Sequence, residues 1–494
     1  MIDLTLRRGE LLRTQNFIAG QWRAALNGAS YPVSNPATDA DFAAVPDSGP
    51  ADARAATDAA VAAYPAWRAR SARERATILR NWHDLIIANT DDLARLISRE
   101  QGKPLAEARG ETAYGAAYVQ WFSEEATRCH GDILPRHFAG RQLMVVREPV
   151  GVVAAITPWN FPLAMIGRKF APALAAGCTV VAKPAEDTPL TALALVKLAE
   201  EAGVPPGVLN IITTSRAQAD AAVKDWLQDT RVRKITFTGS TAVGKYLARE
   251  SAATLKKVSL ELGGNAPFIV FGDADLDAAV EGLMRAKFRN GGQACVSPNR
   301  VYVQASVYDE FAAMLVARVA ALRVGPATDD SSQVGPMINA RAVDKIDRHV
   351  QDAIARGATL LTGGQRLRNR VADSPNYYLP TVLGDATHGM VLSCEETFGP
   401  VVPLFRFSSE AEVIAQANDT PFGLAAYFYT RDMKRLWRVA DALEVGIVGI
   451  NEGVFSSEAA PFGGVKESGY GREGSQYGLD DYMIMKYLCQ GELS

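Results

Sequence analysis

The sequence predicts an α/β protein built on two parallel sheets, and three observations predict it. Short apolar, β-branched runs alternate with helical runs from about residue 150 onward. That alternation begins twice, first at Gly151 and again near Leu262, so two α/β domains are expected. The chain has 494 residues, which is too long for one ordinary core.

Taken in order, residues 16–50 are short polar pieces punctuated by Pro and Gly, expected as edge strands and loops. Residues 52–125 are helical, with Leu79, Trp82, Leu85 and Ile86 recurring at three- and four-residue spacing. QLMVVREP at 142–149 is a strand-like run that ends on a Pro. GVVAAIT (151–157) is a buried strand, MIGRKFAPALAAG (165–177) a helix and CTVVAK (178–183) a strand. PLTALALVKLAEEAG (189–203) is a helix stopped by Gly203, with strands VLNII (208–212) and KITFTG (234–239) after it. The second series has the strand APFIVF, then a helix opened by Asp caps over DADLDAAVEGLMRAKFRN, then the strand VYVQ. Helices follow over 306–322 and 340–356. After PVVPLFRF (400–407) come a helix and the strands AAYFYT and VGIVGIN.

The totals exclude several function classes. Lys and Arg number 52 against 55 Asp and Glu, a net charge of -3, so neither nucleic acid nor an anionic membrane is an expected partner. No secretory leader and no membrane span are expected, since no apolar run has the required length. The five cysteines are widely spread and contain no C-x-x-C pair. Neither a disulfide framework nor a metal site is therefore expected, and a reducing, cytoplasmic setting fits best.

Two phosphate-binding candidates compete. Gly469, Gly471 and Gly474 match G-x-G-x-x-G, but no strand precedes them and no βαβ unit follows, so they are set aside. In FTGSTAVG (237–244) a strand runs into Gly239 and Ser240 and then a helix, whose N-terminus suits a phosphate. Gly-Ser also makes an ordinary turn and cap. KPAE (183–186) ends the second strand of the alternation, so Lys183 and Glu186 are placed to grip ribose hydroxyls, or to form a solvated charge pair.

The most informative stretch is FRNGGQACV, 288–296. Glycines beside Cys295 let backbone N–H groups approach whatever the sulfur attacks, and Arg289 offers a planar cation suited to a carboxylate. By itself Cys295 could equally be a small buried residue. In ITPWNFP, Asn160 is an amide stiffened by Pro158 and Pro162, which suits an oxyanion donor and also suits a simple Asx turn. In LELGGNAPF, Glu261 is a carboxylate between leucines, where a raised pKa would favour a general base.

With these three stretches together the chain resembles the aldehyde dehydrogenase superfamily over nearly its whole length, and within it the succinate-semialdehyde dehydrogenases. The resemblance implies a Rossmann-like dinucleotide-binding domain (1–127 and 149–261) and a catalytic domain (262–463). Segments 128–148 and 464–494 would supply an oligomerisation hairpin, its partner strand and the tail. A homo-oligomer, dimer or tetramer, is then expected, because such strands otherwise leave open edges. It implies Cys295 as nucleophile, Asn160 with the Cys295 N–H as oxyanion donors, and Glu261 as the base that activates the deacylating water. Trp159, Lys183, Glu186, Gly239, Ser240, Glu396 and Phe398 would hold NAD, with NADP possible. Glu186 repels a 2′-phosphate and so favours NAD. Thr214 stands where the family usually has Gly, so no adenine contact is carried over.

Substrate choice rests on fewer residues. Arg168, Arg289 and Ser456 stand where succinate-semialdehyde dehydrogenases use Arg, Arg and Ser to bind the far carboxylate. Each Arg alone could instead serve an ion pair. Glutarate semialdehyde is the alternative substrate. Two other classes on this fold are a CoA-acylating relative, disfavoured by Glu261, and a non-catalytic structural protein, disfavoured by Cys295, Asn160 and Glu261 together.

Overall fold

The structure is a computed structural model that describes residues 4–367 and 374–492. Two mainly parallel sheets organise it, as the alternation predicts. The centre of the first has five parallel strands in the spatial order Leu209–Ile211, Thr179–Lys183, Val152–Ile156, Val232–Thr238 and Lys257–Glu261. Along the chain these are the third, second, first, fourth and fifth strands. The order reverses between Val152–Ile156 and Val232–Thr238, so a crevice opens beyond their C-terminal ends. The chain leaves those ends through Pro158, Trp159 and Asn160 on one side and Gly239 and Ser240 on the other.

Helices cover both faces of this sheet, which is why its central strands are buried at every position rather than alternately. Successive side chains still point to opposite faces. Val153, Ala155, Val180 and Ala182 enter one core with Trp82 and Phe122, whereas Ala154, Ile156 and Val181 enter another with Trp226. Helix Ala164–Ala176 is buried along its whole length, packed against the sheet and against helix Leu105–Glu125.

The second sheet runs Thr359–Thr362, Thr381–Gly384, Val401–Phe407, Pro298–Gln304, Ala266–Val270, Ala425–Tyr429 and Ile447–Ile450. Only its outermost pair, Thr359–Thr362 with Thr381–Gly384, is antiparallel. A third, antiparallel sheet joins Met483–Gln490 to Gln142–Pro149 and that strand to Asp132–Leu134. The hairpin and the C-terminal strand thus pair within one chain. This sheet leaves Ile133, Met485 and Tyr487 exposed.

The elements not anticipated include helix Arg216–Gln228, strands Lys257–Glu261, Thr359–Thr362 and Thr381–Gly384, and helix Met433–Ala442. The segment 464–494, expected to supply the hairpin's partner strand and the tail, also reaches the first sheet. Gly469–Tyr470 pairs antiparallel with Lys257–Glu261 and forms an edge of the first sheet. Gly469 has φ of +113°, and a Cβ there would lie 1.9 Å from the Leu260 carbonyl oxygen. The glycines of the G-x-G-x-x-G run let the chain lie against that sheet edge.

Candidate active site

A cavity of about 300 Å³ lies where the crevice of the first sheet faces loops of the second. Its lining includes Trp159, Asn160, Arg168, Gly239, Ser240, Arg289, Cys295, Glu396, Phe398 and Ser456. Residues from 159 to 456 in the sequence therefore converge on one space. Glu261, Lys183 and Glu186 are not in that lining.

Helix Leu276–Phe288, capped by Asp275, leads into the cysteine loop. Beyond it Asn290, Gly291 and Gly292 are all left-handed, with φ of 52°, 61° and 78°. Asn and Gly are the residues that tolerate this region. A Cβ on Gly292 would lie 2.2 Å from the Gly399 carbonyl oxygen, so the loop presses directly on the Glu396–Phe398 segment. Cys295 is half-buried in the cavity. Loss of water first, then the charges of Glu396 and Glu261, pushes its thiol up to about 12, against the opposing pull of Arg168. A sulfur placed this way keeps its proton until a base removes it.

Asn160 is buried, and its Nδ2 donates to the Gln293 carbonyl oxygen at 3.0 Å. Its amide is thereby tied to the loop that carries the sulfur.

Glu261 ends strand Lys257–Glu261, is buried, and has Oε2 without a hydrogen-bond partner. Burial, and next the neighbouring charge of Glu473, raises its carboxyl well above the usual range. Glu473 goes the other way. Burial opposes its ionisation, but Lys169 and Arg168 outweigh burial and hold it below the usual range. Lys169 Nζ bonds Glu473 Oε1 and also donates to Thr238 Oγ1 at 2.7 Å. Of two neighbouring carboxyls, the one bonded to cations ionises more readily than the other.

The two guanidiniums lie among aromatic rings. Arg168 has 2% exposure, with its Cζ 4.0 Å from the Phe462 ring centre and 5.3 Å from that of Tyr118. Its Nε is 2.7 Å from Glu473 Oε2 at angles that do not make a hydrogen bond, and its Nη2 has no partner. The Arg289 Cζ is 4.9 Å from the Phe161 ring centre and 5.5 Å from that of Tyr114.

The remaining wall suits a dinucleotide. Trp159 and Phe398 meet edge to face, 5.5 Å between ring centres. Phe398 holds φ of 58°, strained for a bulky residue and kept by its surroundings. Glu396 Oε1 accepts from the Gly264 N–H at 3.1 Å, and burial pushes its carboxyl to about 7. Ser240 precedes helix Thr241–Ser251 but makes no side-chain cap, which leaves the hydroxyl and the helix N-terminus available to an anion. Outside the cavity, Lys183 Nζ donates to the Pro184 carbonyl oxygen at 2.7 Å and lies 4.0 Å from Glu186 Oε2. Among the described residues no group of three or more His, Cys, Asp or Glu could hold a metal ion.

A sequence profile of the Aldehyde dehydrogenase family matches residues 22–488. The chain belongs to that family. It is 54% identical to a glutarate-semialdehyde dehydrogenase of Pseudomonas putida, over 98% of this chain and 99% of the relative. It is also 54% identical to the succinate-semialdehyde dehydrogenase [NADP(+)] of Escherichia coli, over 99% and 100%. The crystal structure of succinate-semialdehyde dehydrogenase from Burkholderia pseudomallei superposes with a TM-score of 0.96 at 54% identity, over 99% and 100%. The fold class and the resemblance read from the sequence are therefore right.

Sequence reasoning missed Lys169 and Glu473 as part of the site. Lys169 adjoins Arg168 in the chain, but nothing local marks Glu473 as its partner 304 residues away. Tyr114, which also lines the cavity and accepts from Arg168 Nη1 at 3.3 Å, gave no signal within its Ala- and Gly-rich helix.

Proposed function

We propose that the chain oxidises a short aldehyde carrying a far carboxylate, with succinate semialdehyde as best fit and glutarate semialdehyde as close second. The observation that carries this reading is the buried Arg168 Nη2, unpartnered in the same cavity as Arg289, Ser456 and Cys295. An unpaired buried guanidinium N–H is costly, and a carboxylate would satisfy it. The two relatives named above divide between the same two substrates. One methylene is worth only ~1–3 kcal/mol of discrimination, so overlap is expected.

In this reading Glu261, in its ionised form, takes the proton of the Cys295 thiol as the sulfur attacks the aldehyde carbon. Asn160 Nδ2 and the Cys295 N–H hold the resulting oxyanion. A nicotinamide beside Phe398 would supply the hydride acceptor. Once that proton has passed to solvent, Glu261 activates the water that releases the acid from the thioester, which makes the enzyme non-acylating. Glu396 and Ser240 would hold the ribose and phosphate, and Lys183 with Glu186 the adenosine ribose. Glu186 and its neighbour Asp187 crowd the place of a 2′-phosphate with negative charge, which favours NAD. The exposed apolar side chains of the third sheet support a homo-oligomer assembled there. The five free thiols support a reducing, cytoplasmic setting.

The test is an Arg168→Ala, Arg289→Ala double variant assayed by NADH formation. The unaltered chain should prefer succinate semialdehyde over butanal by about a hundredfold or more in kcat/KM, and the double variant should lose most of that preference. A double variant that kept its preference would move the carboxylate elsewhere and remove the substrate assignment.

A further inference from the structure

Three charged residues outside the reacting groups lie four apart in the chain: Lys103, Glu107 and Glu111. Lys103 precedes helix Leu105–Glu125, and Glu107 and Glu111 occupy successive turns of it. Lys103 and Glu111 form an ion pair of 2.6 Å with side chains only 1% exposed. A pair buried that deeply is weak evidence for stability, because desolvation offsets its attraction. Its other bonds indicate what it does.

Lys103 Nζ donates to the Asn160 carbonyl oxygen at 2.8 Å. Glu111 Oε1 accepts from the N–H groups of Leu163 and Ala164, where the next helix starts. The loop carrying Asn160 is therefore held at both its carbonyl and its exit. Glu107 Oε2 accepts from the Asn290 N–H at 2.9 Å, in the left-handed turn before Cys295. Asn290 Nδ2 closes the circuit by donating to the Asn160 carbonyl oxygen at 2.8 Å. Both lone pairs of that oxygen are thus used, one toward Lys103 and one toward the loop before Cys295. The Asn160 amide then has one orientation, toward Gln293 and the sulfur loop.

We propose that Lys103, Glu107 and Glu111 are positioning residues that fix the Asn160 amide relative to Cys295. This rests on the reading of Asn160 as the oxyanion donor. A charged clamp suits the task because oxyanion donors act through preorganisation, and a shift of about 1 Å costs on the order of a hundredfold in rate.

The experiment compares Lys103→Met/Glu111→Gln in the otherwise unaltered chain and in an Asn160→Ala chain. Gln still accepts from Leu163 and Ala164, and neither charge of the Lys103–Glu111 pair is left buried alone. The expected result is a fall in kcat of about thirtyfold where Asn160 is present and under about twofold where it is absent, with NAD affinity unchanged in both. Equal falls in the two backgrounds, or no fall in the first, overturn the clamp alone. Full turnover by Asn160→Ala itself removes the oxyanion reading and this inference with it. If the double variant does not fold, Lys103→Arg makes the same comparison, since it keeps the charge but displaces the donor. Its expected loss is about fivefold, again only with Asn160 present, and an equal loss in both backgrounds overturns the clamp.

Discussion

The surroundings of Cys295 and the Lys183–Glu186 edge of the first sheet are built differently. Around Cys295 and Glu261 several charged groups are buried against a designated counter-charge: Lys169 and Arg168 with Glu473, and Lys103 with Glu111. At Lys183 and Glu186 the carboxylate side chain is 29% exposed and its ion pair is stretched to 4.0 Å. Removing a partner in the first region leaves an uncompensated buried charge, whereas in the second Lys183 keeps its bond to the Pro184 carbonyl oxygen and water reaches Glu186. Substitutions near the sulfur should therefore have large, mutually dependent effects. Those at the adenosine end should be modest and separable.

The largest effect is expected at the sulfur. Cys295→Ser should lower turnover by at least about a thousandfold while NAD still binds, because a hydroxyl is a far weaker nucleophile than a thiol. Turnover near that of the unaltered chain would show that Cys295 is not the nucleophile.

An intermediate effect tests the paired carboxyls. Glu261 needs to lose its proton to act as base, so activity should rise with pH. The charge of Glu473 helps raise the Glu261 carboxyl, and Glu473→Gln removes it while freeing Lys169 and Arg168 to act on Glu261. Both changes lower the Glu261 pKa. The rising limb of the kcat profile should move to lower pH by about one unit. A limb that stays fixed, or moves to higher pH, would separate the two carboxyls.

The smallest effect belongs to the open end. Glu186→Ser should shift the ratio of kcat/KM for NADP over NAD by about tenfold toward NADP, with little change in turnover on NAD. A shift that also destroyed NAD turnover would mean that the Lys183–Glu186 edge is as tightly coupled as the surroundings of Cys295.

The parts legible in the sequence are those with local signals. Strands such as Val152–Ile156 announce themselves by composition, and helix Ala164–Ala176 by its Gly177 stop. Asn160 and Cys295 stand out because Pro and Gly surround them. Helix Met433–Ala442 had an available signal that was passed over. Ala425–Tyr429 and Ile447–Ile450 pair in parallel, and parallel neighbours require a crossover. Asp432 also caps that helix through Lys434 and Arg435. Glu473 had no such signal. It lies in a run whose glycines mimic a nucleotide fingerprint, and its role depends on Lys169, reached only through the tertiary fold. The same holds for Lys103, whose partner Asn160 contributes a backbone oxygen and no side chain.

The edge strand Gly469–Tyr470 also bears on how the chain emerges from the ribosome. Its neighbour Lys257–Glu261 is synthesised about 200 residues earlier, which is ~10–40 s at ordinary elongation rates. Throughout that interval the nascent first domain carries an unpaired strand edge and a buried-type carboxylate, Glu261, without its companion Glu473. The first half of the protein is therefore complete only when the last is made, and the interval before closure is when this chain most needs protection from pairing with a neighbour.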